Sequence, residues 1–194
     1  MDNSLLSLKQ LVEAIHPFSQ EDWEAFSVLW KPFTAKRKEL ITSEGEREKY
    51  LYFVQEGVQR VYYFDDQDRE ATLVFTYTPS FGGVLDSFLL QTPSRYFYEA
   101  LTPSLFLRIS FQELGRLMQT RPAIAYMVQQ GTTVALSGLL ERLVELQSYS
   151  AEERFNKVRQ RSPHIFSLIP HKYIANYLGM DATNFSKLVN KQKI

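Results

Sequence analysis

The side chains best suited to chemistry with another molecule cluster near residue 190. Thr183, Asn184, Ser186, Lys187, Asn190 and Lys191 follow Gly179-Met180-Asp181 and interleave with Phe185 and Leu188. Short hydroxyls and amides donate and accept hydrogen bonds, and lysine adds a cation. That mixture suits base edges and phosphates in a DNA major groove. The spacing predicts a helix from Ala182 to about Lys191, with Asp181 as its N-cap and Phe185 and Leu188 turned inward. A shorter helix from Pro170 to Leu178 precedes it, with Ala175 small at the crossing and Gly179 supplying the turn. Together they read as a helix-turn-helix. Thr183, Asn184 and Lys187 are assigned to base edges. Ser186, Asn190, Lys191 and His171 are assigned to phosphates.

The charge distribution agrees. The 194 residues carry 22 basic and 22 acidic side chains, so the net charge is zero. Residues 151–194 nevertheless hold 8 basic and 3 acidic ones, an excess that residues 1–150 cancel. A basic segment attached to an acidic body points to a polyanionic partner.

Composition narrows the alternatives. There is no cysteine, which removes disulfides, thiolate metal sites, cysteine nucleophiles and iron–sulfur clusters. The three histidines, His16, His164 and His171, lie outside the strand-rich region and offer no haem ligand there. No Ser-His-Asp arrangement, HExxH or lysine-bearing phosphate loop is present, so no enzyme and no cofactor is expected. No run reaches the ~18 apolar residues of a membrane span. Met1-Asp2-Asn3-Ser4 lacks the basic start of a signal peptide. A cytoplasmic protein without membrane contact is the expectation.

The elements that must position the basic segment are legible. Two helices are expected within the first 30 residues, the second closed by Pro32. Between about 33 and 111, short Tyr-, Phe-, Val- and Thr-rich runs alternate with turns, the texture of an all-β sandwich or barrel. Glu39–Thr42, Tyr50–Val54, Gln59–Phe64, Thr72–Tyr77, Arg95–Ala100 and Leu105–Ile109 are the expected strands, and Asp65–Arg69 is a hairpin tip. A short helix at 112–120 leads to Pro122, which opens a helix running to about Tyr149. Ile124, Met127, Val128, Val134, Leu139, Leu143 and Leu146 stripe it, with Gly131 and Gly138 inside the stripe. At about 40 Å it is longer than a small β domain can cover, so a second copy is expected along it. The fold class is α+β, in three parts: a β-roll with flanking helices (1–121), a long dimerisation helix (122–149) and a helix-turn-helix domain (150–194).

The order of these parts resembles the CRP/FNR family of bacterial transcription regulators. Leu40-Ile41-x-x-x-Gly45-Glu46, Leu51-Tyr52-Phe53-Val54-x-x-Gly57-x-x-Arg60-Val61, Phe81-Gly82-Gly83 and Arg95-x-x-x-Glu99-Ala100 carry the resemblance, followed by the long helix and the helix-turn-helix. It implies a cyclic-nucleotide-binding-like double-stranded β-helix, a homodimer, a winged helix-turn-helix, double-stranded DNA with an inverted repeat as partner, and a meeting with RNA polymerase. Lys191-Gln192-Lys193-Ile194 leave room for at most a very short second wing strand. Family members that bind cyclic nucleotides use Phe-Gly-Glu-Leu and, about ten residues on, Arg-Ser/Thr-Ala. Here Gly83 stands at the Glu position, Arg95 falls one place late, and Tyr96 replaces the small alanine. A one-residue shift on a strand reverses the face a side chain points to. Gly82, Gly83, Ser94 and Arg95 are therefore the candidate effector residues of a diverged pocket, not expected to hold cyclic AMP in the usual way. The recognition-helix pattern Ser-Arg-Glu-Thr-Val-x-Arg reads Asp181–Lys187 here, so a different operator is expected. The alternative is a β-roll sensor or scaffold for another small anion or a protein partner, its helix-turn-helix not used on DNA.

Overall fold

The apolar runs bury both of their faces, and this decides the architecture. The structure, a computed structural model, describes residues 3–191. Two helices, α1 (Asn3–Ile15) and α2 (Gln20–Ser27), precede eight strands: β1 (Lys31–Ala35), β2 (Leu40–Thr42), β3 (Tyr50–Glu56), β4 (Val58–Phe64), β5 (Glu70–Tyr77), β6 (Ser80–Gly82), β7 (Phe97–Ala100) and β8 (Ser104–Ser110). They form two four-stranded sheets, ordered β1-β8-β3-β6 and β2-β7-β4-β5, with antiparallel neighbours throughout. On β3, Tyr52 and Val54 point between the sheets with Tyr98, Val61 and Phe106. Phe53, Leu107 and Ile109 point the other way, onto Leu8, Val12, Trp23, Phe26 and Trp30 of the N-terminal segment. Period-two alternation with both faces covered reads in sequence as an unbroken apolar run.

Two details depart from the sequence expectation. Pro32 does not close a helix: α2 ends at Ser27, and Pro32 lies in β1 at the edge of its sheet. An edge strand tolerates the missing N–H. The strand β6 and the helix α3 (Leu85–Leu90) lie between the expected strands Thr72–Tyr77 and Arg95–Ala100, where no element was expected.

After α4 (Phe111–Thr120), capped by a reciprocal Ser110–Glu113 box, α5 runs from Pro122 to Ser148. Its first half is anchored by buried Ile124 and Met127. In its second half Val134, Leu136, Leu139, Leu140, Leu143 and Val144 are all exposed. Among the described residues no neighbour approaches a Cβ placed on Gly138, and only Ile15 comes near one on Gly131.

The remaining helices are α6 (Ala151–Arg161), α7 (Ile165–Leu168), α8 (His171–Tyr177) and α9 (Ala182–Lys191). Among the described residues no strand follows β8. The expected wing strand falls on residues 192–194, outside the described residues. The helical core of Phe155, Val158, Ile165, Ile174, Leu178, Phe185 and Val189 continues into the β-roll through Val58 and Leu101.

Three contacts join α8 to the second sheet. The Asn176 side chain accepts from Thr72 N–H (2.5 Å) and donates to the Glu70 carbonyl (2.7 Å), so it pairs with the open edge of β5 as a further strand would. Tyr177 packs on Phe75, next to a bond from Tyr77 Oη to Ser162 Oγ at the end of α6. Arg60 is the third. It is 3% exposed, paired with Glu99 (2.8 Å) and Glu70 (2.7 Å), and its guanidinium lies 3.9 Å from both the Tyr62 and Tyr173 ring centroids. Burial alone would lower its pKa; bonds to Glu70 and Glu99 more than offset that and raise it. Arg60→Met should strand the Glu99 carboxylate and cost about 3 kcal/mol in equilibrium urea unfolding. Adding Glu99→Gln should recover part of that loss, and an additive double variant would contradict the pairing.

Candidate nucleic-acid interface and effector pocket

The exposed face of α9 is built by what anchors its other face. Phe185 and Val189 are buried, and Phe185 meets the rings of Phe155, Phe166 and His171. Gly179, at φ +62°, makes the turn, and a Cβ there would press on Leu146 of α5. Asp181 caps α9, accepting from Asn184 N–H (2.8 Å), and this bond keeps its carboxyl below the usual range.

Thr183, Asn184, Ser186, Lys187, Asn190 and Lys191 are all exposed, as is His171 at the start of α8. They are not equally available. The Asn184 amide donates to Asp181 (2.5 Å), which leaves its carbonyl oxygen for another partner. Lys191 Nζ is paired with Glu152 of α6 (2.9 Å). His171 stacks edge-on against Phe185, 5.2 Å between centroids. Thr183, Ser186, Lys187 and Asn190 present side chains outward beside them.

The four candidate effector residues are not brought together as a ligand site. Ser94 is buried, and its hydroxyl is spent within its own turn on the Tyr96 carbonyl (2.7 Å) and N–H (2.9 Å). Arg95 is exposed. Gly82 and Gly83 face the inside of the roll, where other side chains already sit. A Cβ on Gly82 would collide with Tyr98 Oη. Val84 N–H, at the N-cap of α3, donates to Glu48 Oε2 (3.2 Å), which also accepts from the Thr42 hydroxyl (2.7 Å). The Val84 N–H beside the two glycines is thus held by a carboxylate of the chain. Tyr98 bonds Thr76 (3.1 Å), and Tyr52 and Phe106 fill the space next to it. Burial pushes the Tyr52 and Tyr98 phenols up, so both stay protonated. Burial also raises the Glu48 carboxyl, against the opposing bond from Thr42.

Sequence reasoning did not find Glu48, Tyr98, Arg60 or Asn176 as site residues. Nothing local marks a glutamate before a strand as a buried carboxyl, or an asparagine as a clip. Decisive partners lie far along the chain: Thr76 is 22 positions from Tyr98, Val84 is 36 from Glu48, Glu99 is 39 from Arg60 and Glu70 is 106 from Asn176.

Residues 32–121 match the protein family described as cyclic nucleotide-binding domain. Among solved structures, FixK2 from Bradyrhizobium japonicum is similar with a TM-score of 0.74 at 19% identity, over 85% of this chain and 86% of that one. The c-di-GMP-responsive global regulator CLP of Xanthomonas campestris is similar with a TM-score of 0.67 at 18% identity, over 90% and 92% of the two chains. The catabolite activator protein of Thermus thermophilus gives 0.57 at 18% identity, over 92% and 85%. No curated protein sequence matches. Among the described residues no helix is long and apolar enough to cross a membrane.

The Glu48 environment has a pH signature. A carboxyl whose folded pKa is raised above its ordinary 4.5 stays protonated in the folded state after the unfolded chain has ionised. Its contribution to stability is present below pH 4.5 and is lost as pH rises through the folded value. Unfolding free energy measured from pH 4 upward should carry this decline, at most about 1.4 kcal/mol per pH unit, and Glu48→Gln should remove it. Parallel curves for the two proteins would contradict the assignment.

Proposed function

We propose that this chain, which combines a cyclic-nucleotide-binding-type domain with the fold of CRP/FNR regulators, is a homodimeric, sequence-specific DNA-binding transcription regulator that does not depend on a cyclic nucleotide. The observation that carries the reading is the exposed polar face of α9, held by an apolar core beneath it and an N-cap at its start. In a helix-turn-helix this second helix enters the major groove. Thr183 and Lys187 are the leading base readers, with the Asn184 carbonyl beside them. Ser186 and Asn190 are phosphate partners. His171 joins them at the start of α8, and Lys191 would first have to leave Glu152.

The exposed apolar run on α5 supports the dimer. Leu136, Leu139, Leu140, Leu143 and Val144 would leave a large apolar surface in water if the helix stood alone. A second copy packed along it would form a two-fold assembly. It would set two α9 helices about one DNA turn (~34 Å) apart, facing an inverted repeat. The filled interior of the roll supports independence from a nucleotide, because Tyr98 and Glu48 hold the positions a cyclic phosphate would need.

Selection from a random duplex pool, with and without cyclic AMP, tests the reading. Enrichment of one inverted repeat under both conditions is expected. Enrichment only with the nucleotide would overturn the independence, and no enrichment would overturn the DNA reading. Lys187→Ala should weaken binding to the selected duplex by about 1–3 kcal/mol and relax one position of the site. Unchanged affinity would displace Lys187 from the groove. Leu139→Glu with Leu143→Glu should convert the protein from dimer to monomer in sedimentation, with loss of the inverted-repeat preference; a persistent dimer would place the interface elsewhere.

A further inference from the structure

One residue of α9 has its chemistry narrowed by a neighbour. Asn184 is the third residue of the helix. An asparagine amide can turn either its NH2 donors or its carbonyl acceptor toward a base edge. In this chain the turn is made before DNA arrives. One Asp181 carboxylate oxygen accepts from the Asn184 backbone N–H (2.8 Å), and the other accepts from the Asn184 side-chain NH2 (2.5 Å). The backbone bond holds the Asp181 carboxyl below its usual range, so near neutral pH it is ionised and has no proton to give. Only the NH2 end of the amide can face it. The carbonyl oxygen is the free end, and it has no partner among the described residues.

The surrounding packing keeps this clasp in register. Phe185, the next residue, is buried against Phe155, Phe166 and His171, which fixes the rotation of α9 about its axis. Gly179, at φ +62°, makes the turn that brings Asp181 to the N-cap. Asn184 and Lys187 are both exposed and three positions apart, so they share one side of the helix. The amide is therefore ordered in the free protein, on the side where the cation stands.

We infer that Asn184 reads a base as a hydrogen-bond acceptor, that Asp181 positions it to do so, and that the base selected carries an exocyclic amine. The inference rests on the DNA-binding reading above and names the bases it leaves open. The first residues of a recognition helix are those that reach base edges. In the major groove cytosine N4 and adenine N6 donate, whereas guanine O6 and thymine O4 accept. A carbonyl oxygen pairs with the first two and repels the others. One position of each half-site should thus admit cytosine or adenine on the strand facing Asn184 and reject guanine and thymine. Released from Asp181, the amide could turn over and meet guanine or thymine through its NH2, so the preference depends on the clasp.

The test measures binding of the full chain to the selected duplex and to its single-base-pair variants. At one position the parent should lose about tenfold when the amine-bearing base is replaced by guanine or thymine. Replacing that base by its analogue without the amine, purine for adenine or 2-pyrimidinone for cytosine, should also weaken the parent and leave Asn184→Ala unaffected. Asp181→Ser keeps a capping hydroxyl but frees the amide. It should lose the preference at this position and keep the preferences elsewhere. A role in capping alone would instead weaken binding to every duplex alike. That uniform loss would overturn the inference. So would an Asp181→Ser variant that keeps the preference, an Asn184→Ala variant that keeps it, or a parent that favours guanine or thymine at the Asn184-dependent position. Each of these leaves the DNA reading intact, whereas failure of the parent to bind any duplex selectively would overturn both.

Discussion

One buried guanidinium sets how the two halves of the molecule meet. Arg60 lies on β4 with no water to solvate it, so it needs negative partners and flat surfaces within reach. Glu99 on β7 and Glu70 on β5 supply the charge, and Tyr62 and Tyr173 cover its two faces. Four of these five residues belong to the sheet; Tyr173 belongs to α8. The cation is thereby enclosed only when α8 is docked. Removing α8 would expose one face of a buried ion pair, which ties helix position to sheet integrity. Asn176 adds direction: by pairing with an N–H and a carbonyl of β5 it satisfies an open sheet edge that would otherwise need another strand or water.

The inside of the β-roll obeys a different constraint. A roll of this size has room either for a small ligand or for large side chains. Here Tyr52, Tyr98, Phe106 and Phe33 take that volume, their rings meeting at 5.5–5.9 Å between centroids. The backbone N–H of Val84, beside the glycines, is satisfied internally by Glu48. Glycine at 82 is required by this arrangement, since the phenol occupies the place of a Cβ. The glycine at 82 and the buried Tyr98 phenol are thus two sides of one packing solution.

The long helix divides its length between these two regimes. Near Ile124 and Met127 it belongs to the core over which α1 and α2 lie, and near Leu146 it supports the turn of the helix-turn-helix. Between those anchors its apolar side chains face outward. Arg142 and Glu145, buried in the same stretch, sit 3.9 Å apart against Tyr177 and the cations of α6, so charge as well as apolar surface converges where α5 meets α6 and α8.

What the sequence by itself determined is what short-range chemistry controls. Helix ends at Pro122, Gly179 and Asp181, the period-two strand runs, the hairpin tip at Asp65–Arg69, the span of the long helix and the inward Phe185 all follow from local backbone and side-chain preferences. The exposed polar face of α9 was legible for the same reason, because a helix's two faces are fixed once its anchors are known. Pro32 was misplaced because the same residue suits a helix end and an edge strand, and only the sheet order distinguishes them. Tertiary structure decided what depends on residues far apart in the chain. Lys191 read as a free cation until Glu152, 39 positions away, was placed beside it. Glu48 and Tyr98 came to fill the inside of the roll only when β3, β7 and α3 were brought together. Arg60 and Asn176 became the joint between sheet and helix only when α8 was laid on β5. Local preferences specify each element, whereas the cost of burying charge and leaving backbone groups unpaired selects which elements meet.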